Sequence, residues 1–214
     1  MAAGKIQIKT LVLCLAAVVG VEAGVRLGIP GDVSHTLTFL GAGRLLQAGL
    51  IIAILFLAEN GPASVGLSVK GLVPGLKRGC IWAAGFGLLV LVGGLLSWAL
   101  GINPLALIRS PLPADSGHIL LFFLVGGIIA PVMEEIFFRG VLYGFFRRWG
   151  AVTAVLLSTL AFVVAHPMSS AIPITQIVGG LLFAVAYEVE KNLMVPITLH
   201  CLGNMAIFAL SLIA

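Results

Sequence analysis

Two adjacent carboxylates and an arginine stand inside an apolar run, A-P-V-M-E-E-I-F-F-R-G-V-L-Y-G-F-F-R-R at residues 130–148. Carrying Glu134, Glu135 and Arg139 into hydrocarbon is costly unless they pair or face a wet cavity, so charged residues in such runs mark functional sites. On a helix, Glu135 and Arg139 are four apart and share a face, with the acid N-terminal to the base, the better orientation for an ion pair. Glu134 points roughly 100° away. One carboxylate is then held ionised by its arginine. The other is left desolvated, with the raised pKa that makes a general base of a glutamate. Pro131, three residues upstream, is expected to kink or open the helix and free backbone groups beside Glu134.

Further polar groups recur at helical spacing. Phe162 and His166 are four apart near the end of one apolar run, and His200 and Asn204 are four apart in another. Trp149-Gly150 reads as a turn, which makes a hairpin of the runs on either side. Glu134 lies 16 residues before Gly150 and His166 lies 16 after it. In an antiparallel pair the two come level, and His200 with Asn204 on a third helix can meet them. Each residue also has a plainer reading. Glu135–Arg139 reads first as a structural ion pair and Phe162 first as core, while His166 also reads as an interfacial helix-end residue and Asn204 as an interhelical hydrogen-bonding residue. His35 and His118 fall at predicted span edges. Arg44 has Glu22 or Glu59 as possible partners, and no role is assigned to it.

These residues must be positioned by membrane helices. Of the 214 residues, 60% are hydrophobic and 9% charged, where soluble domains carry about 25% charged residues. Mean hydropathy is +1.19. The expected fold is all-α, a polytopic transmembrane bundle of about seven spans. One integral membrane domain is expected over residues 1–214, with a motif-bearing core over about 118–213. The spans are placed at Ile6–Val25, Leu37–Ala58, Cys80–Leu100, His118–Arg148, Ala151–His166, Pro173–Tyr187 and Leu193–Ile213. Pro167 is expected to stop the fifth. Between the second and third, Glu59–Gly79 interleaves apolar residues with Lys70, Lys77 and Arg78, the pattern of an interfacial segment. Trp82 and Trp98 read as interfacial anchors. Gly126-Gly127 and Gly179-Gly180 are expected to let helices pack closely.

Counting cations with the N-terminus inside places Lys5, Lys9, Lys70, Lys77, Arg78, Arg147, Arg148 and Lys191 on the cytoplasmic side, against Arg26 and Arg109 outside. That asymmetry predicts a cytoplasmic N-terminus. The two N-terminal lysines before an apolar run resemble a signal peptide, but six further spans favour an uncleaved first helix. Cys14, Cys80 and Cys201 sit in apolar runs without metal-type spacing and read as small buried apolar residues. A net charge of +4 calls for no nucleic acid; the expected partners are membrane lipid and a membrane-associated peptide or protein.

E-E-I-F-F-R (134–139) matches EExxxR, F-V-V-A-H (162–166) matches FxxxH, and H-C-L-G-N (200–204) matches HxxxN. Three such motifs, in that order on separate apolar helices, resemble the CPBP family of intramembrane proteases, which includes CAAX prenyl proteases and bacterial proteins linked to bacteriocin self-immunity. The resemblance covers about Gly126–Phe208. It implies an integral protein of a bacterial cytoplasmic membrane that hydrolyses peptide bonds without a metal. In that scheme Glu134 activates water with help from His166, and His200 and Asn204 donate to the oxyanion. Glu135 and Arg139 hold the helix, with Phe162 lining the site. A zinc alternative would use Glu134, His166 and His200, although no HExxH is present. A transporter or a catalytically silent scaffold could also carry a buried Glu/His cluster.

Overall fold

The computed structural model describes residues 6–28, 33–166 and 172–213. Lys5 and Pro167, with the roles expected of them, lie outside the described residues. The described chain forms seven helices: α1 (Ile8–Gly28), α2 (Val33–Ala58), α3 (Leu72–Ala99), α4 (Ser116–Trp149), α5 (Ala151–Ala165), α6 (Ile174–Glu190) and α7 (Met194–Ser211). No strand occurs among the described residues. Helix is the expected answer for apolar runs of this length, because in lipid each backbone polar group must be satisfied within its own segment. Helices α1, α2, α3, α4 and α7 are long and apolar enough to cross a membrane, while α5 and α6 have 15 and 17 residues. The chain is an integral membrane protein built as an all-helical bundle.

Two boundaries differ from expectation. α3 begins at Leu72 rather than near Cys80, so the connection after α2 shrinks to residues 59–71. Pro74 falls in the first turn of α3, where no helical hydrogen bond needs its missing N–H. A Cβ on Gly79 would stand 2.5 Å from Cβ of Thr198; hydrogen there lets α3 lie against α7. α6 runs through the polar E-V-E stretch to Glu190 and stops at Lys191, whose φ is 50°.

α4 is the central helix. From Glu135 to Phe145 every residue is buried, with α2, α5, α6 and α7 around it. Much of α3 lies at the margin, and Leu88, Leu89, Leu91, Leu95 and Leu96 are each more than half exposed. A face that apolar needs lipid rather than water. α4 starts on an Asp115 cap, whose Oδ2 accepts from the His118 N–H at 3.1 Å. Gly150, at φ 108°, makes the turn into α5.

The ends of α4 and α6 nearest the α4–α5 turn are tied by polar contacts. Arg147 donates to both oxygens of Glu188, at 3.1 and 3.0 Å, a bidentate pairing. Tyr143 and Lys191 also donate to Glu188. The connection after α2 is fastened to the same end. Val65 packs against Gly140 and its carbonyl accepts from the Tyr187 hydroxyl at 2.9 Å, while the Leu193 N–H donates to Gly66 O at 3.1 Å.

Candidate active site

α4 is not a uniform α-helix. It widens into π turns at Val125–Ile129 and Ile136–Tyr143, with an α segment, Ala130–Glu135, between them. Single π turns are often found at functional sites. The opening expected of Pro131 is therefore present, but the carbonyl it frees is not beside Glu134. The Ala130 N–H reaches back five residues to Val125 O. The next bond of that series would run from residue 131 to Gly126, and proline has no N–H to give. Asn204 Nδ2 from α7 supplies the missing donor, at 2.8 Å from Gly126 O. One hydrogen bond of Asn204 is thus committed to α4.

The ion pair at the centre is buried outright. Arg139 Nη1 donates to Glu135 Oε1 at 3.0 Å, and neither side chain has exposed surface. Arg139 Nη2 donates to Gly180 O of α6 at 3.0 Å. The arginine therefore ties α4 to α6, where the sequence suggested only a brace for its own helix. Its guanidinium lies 4.6 Å from the Phe162 ring centroid and 5.4 Å from that of Phe183, within cation–π range. A Cβ on Gly180 would meet Thr159 at 2.8 Å, so this approach of α6 to α5 requires glycine.

Glu135 has a second partner that spacing did not reveal. His200 Nδ1 lies 2.8 Å from Glu135 Oε1. A carboxylate bound to arginine accepts, so Nδ1 carries the proton. The opposite ring nitrogen, Nε2, faces Glu134 Oε2 at 3.9 Å, too far for a direct hydrogen bond. Glu134 keeps 14% of its side-chain surface and His200 keeps 5%. The adjacent carboxylates thus sit in different settings, one sealed and doubly bonded, one partly open.

His166 is the C-cap of α5. Its Nδ1 lies 2.7 Å from Phe162 O; a carbonyl cannot donate, so the proton is on Nδ1 and Nε2 is left with its lone pair. The Phe138 and Phe162 rings meet edge to face at 5.2 Å. They lie 12 residues before and after Gly150, the register in which Glu134 and His166 come level one turn further on. The structure thus brings Glu134, Glu135, Arg139, Phe162 and His200 into one linked group, with the His166 ring against Phe162 at 4.5 Å and tilted by 54° and Asn204 one turn beyond His200. Sequence reasoning expected Gly180 to let helices pack closely, as it does against Thr159, but gave its carbonyl no part in the site, and it missed Phe183. An apolar ring carries no chemical signal of its own, and only the tertiary placement of α6 reveals it.

Among the described residues no three histidine, cysteine, aspartate or glutamate side chains are grouped as metal ligands. Of the residues the zinc alternative would use, His200 and Glu134 face each other through Nε2 and Oε2 at 3.9 Å, and the Nδ1–Glu135 bond leaves Nε2 as the nitrogen a metal would take.

Residues 116–206 match the family model described as type II CAAX prenyl endopeptidase Rce1-like. The chain is also similar to the membrane-embedded CAAX protease MroQ of Staphylococcus aureus (strain USA300), 36% identical over 93 residues. That alignment covers 40% of this chain and 36% of MroQ, so it spans little more than a third of that relative. No solved structure matches. The family match takes in all three motifs, and over those residues the chain is similar to the type II CAAX prenyl endopeptidases.

Proposed function

We propose that this protein is an intramembrane endopeptidase, hydrolysing a peptide bond of a membrane-associated or lipidated peptide or protein through glutamate-activated water. The contrast between the two carboxylates carries the reading. Glu135, sealed against Arg139, stays an acceptor. Glu134 is partly open beside a histidine nitrogen and takes a proton from water as that water attacks the scissile carbonyl. His166, with its lone pair on Nε2, orients the water. Donors from Asn204 and His200 steady the oxyanion of the tetrahedral intermediate: Asn204 has a second amide N–H beyond the one given to Gly126, and His200, its Nδ1–H held by Glu135, donates from Nε2 as the imidazolium. Losing one such donor typically costs roughly 10²–10³ in rate. The leaving amine takes back the proton held by Glu134.

The cation asymmetry supports a cytoplasmic N-terminus, in a bacterial inner membrane. α4 has 34 residues, about 51 Å at 1.5 Å per residue, against a hydrocarbon core of about 30 Å. A projecting α4–α5 turn would bring Glu134 toward the cytoplasmic face. The deciding experiment is proteolysis of a membrane-peptide panel, prenylated and plain, by wild type, Glu134→Ala and His166→Ala, with and without a chelator. Cleavage lost in both variants and kept under chelation is expected. Loss on chelation would favour the zinc alternative, and cleavage indifferent to both substitutions would sink the site.

A further inference from the structure

We infer that Phe183, outside the three motifs, is a positioning residue that sets the plane of the His200 ring and so the direction of its Nε2. A histidine ring needs two constraints to aim a nitrogen. The bond from Nδ1 to Glu135 fixes one corner but leaves the ring free to pivot about it. The second constraint comes from α6. The Phe183 ring stacks on His200, with centroids 4.5 Å apart and planes within 23°. Phe162 closes the neighbouring side edge-on, at 5.8 Å and 74°, and stands at 85° to Phe183. Phe183 is 8% exposed, so it is seated and not a lipid-facing ring that happens to pass. With corner and plane both held, Nε2 points at Glu134.

α6 itself is docked to this place from below. Arg139 donates to Gly180 O, one turn before Phe183. The same arginine that pairs with Glu135 therefore also places the helix carrying the stacking ring. Glu135 and Phe183, the two constraints on His200, share one anchor. That arrangement gives the EExxxR arginine a reach beyond its ion pair, through α6 to the histidine of HxxxN from the other side of the ring.

The inference rests on the proteolytic reading for what the aimed nitrogen is used for, so its test must not depend on cleavage. Full-length protein in lipid nanodiscs, carrying isotope-labelled histidine, reports ring tautomer and Nδ1–H exchange by magnetic resonance; His200→Gln identifies the signal. In the wild type one ordered ring, with Nδ1 protonated and slow to exchange, is expected. Phe183→Leu and Phe183→Met retain apolar bulk but not the flat face, and each should speed Nδ1–H exchange about tenfold or more and split the ring signal. Phe183→Tyr should restore it. On a peptide the wild type cleaves, Leu and Met should lower kcat about tenfold or more with KM nearly unchanged, since misdirection of a reacting group is costly. Ring signals that ignore both substitutions in folded protein overturn the inference, whatever happens to cleavage. Wild type that cleaves nothing, yet shows Phe183-dependent order at His200, sinks the proteolytic reading and leaves the positioning role standing.

Discussion

At the scale of single residues, Glu134 and Arg139 sit five positions apart and should respond to substitution in opposite ways. Glu134 stands 3.9 Å from His200 and is not used to hold the fold. Glu134→Gln is expected to lower cleavage by roughly 10²–10⁴, with the melting temperature in detergent within a degree or two of wild type. Arg139→Ala removes the cation that pairs with Glu135, leaving it the His200 Nδ1–H alone, and takes the side-chain donor from Gly180 O inside the bundle. Breaking a buried pair from one side costs about 3–5 kcal/mol, and thermal or denaturant unfolding should show it. A Glu134→Gln variant that melts far below wild type would contradict the division of labour between the carboxylates. The Glu135–Arg139 spacing was legible in the sequence because helical periodicity is a local property. The bond from His200 to Glu135 was not, because 65 residues and a choice of helix neighbours separate them.

At the scale of helices, small residues and missing donors decide how the bundle is assembled. A methyl group on Gly79 would collide with Thr198 at 2.5 Å and with Val195 O at 2.9 Å, whereas nothing lies within 4 Å of one on Gly85. Gly79→Ala should therefore destabilise by roughly 1–3 kcal/mol. Gly85→Ala should be neutral, or stabilising by roughly 0.5–1 kcal/mol. Equal melting temperatures for the two would refute the close α3–α7 contact. A double-mutant cycle tests the repair of α4 by α7. Asn204→Ala strips Gly126 O of its donor; such interhelical bonds in membranes are worth roughly 0.6–2 kcal/mol. Pro131→Ala returns a backbone N–H to the position facing that carbonyl, so Asn204→Ala should cost less in that background. Additive effects would rule the repair out. The seven apolar runs could be read from composition, and five of their helices need no more than length and apolarity to cross. The start of α3 was misplaced by eight residues because Lys77 and Arg78 look interfacial on paper, while the glycines that seat α3 on α7 carry no polarity to read.

At the scale of the whole molecule, the cluster around Glu188 closes one end of the bundle and is sensitive to pH. Burial alone would raise the Glu188 carboxyl, but hydrogen bonds from Arg147, Lys191 and Tyr143 outweigh it and hold it at about 2. A depressed carboxylate stabilises fully above its unfolded value, near 4.5, and the contribution fades as pH falls toward 2. The melting advantage of wild type over Glu188→Gln should be largest above pH 4.5 and shrink steadily below it. An advantage that grows on acidification would have the sign wrong.

The fastening of Val65 has a consequence in time. Its partners Gly140 and Tyr187 are synthesised 75 and 122 residues later. At about 5–20 residues per second, a nascent chain waits roughly 6–24 seconds with the segment after α2 unfastened. The N-terminal helices can enter the membrane in that interval but cannot lock. A ribosome-stalled chain ending before Tyr187 should leave a cysteine placed at Ser64 open to a water-soluble label, and release to full length should close it. The last hairpin to be made is then what commits the first half of the molecule to its shape.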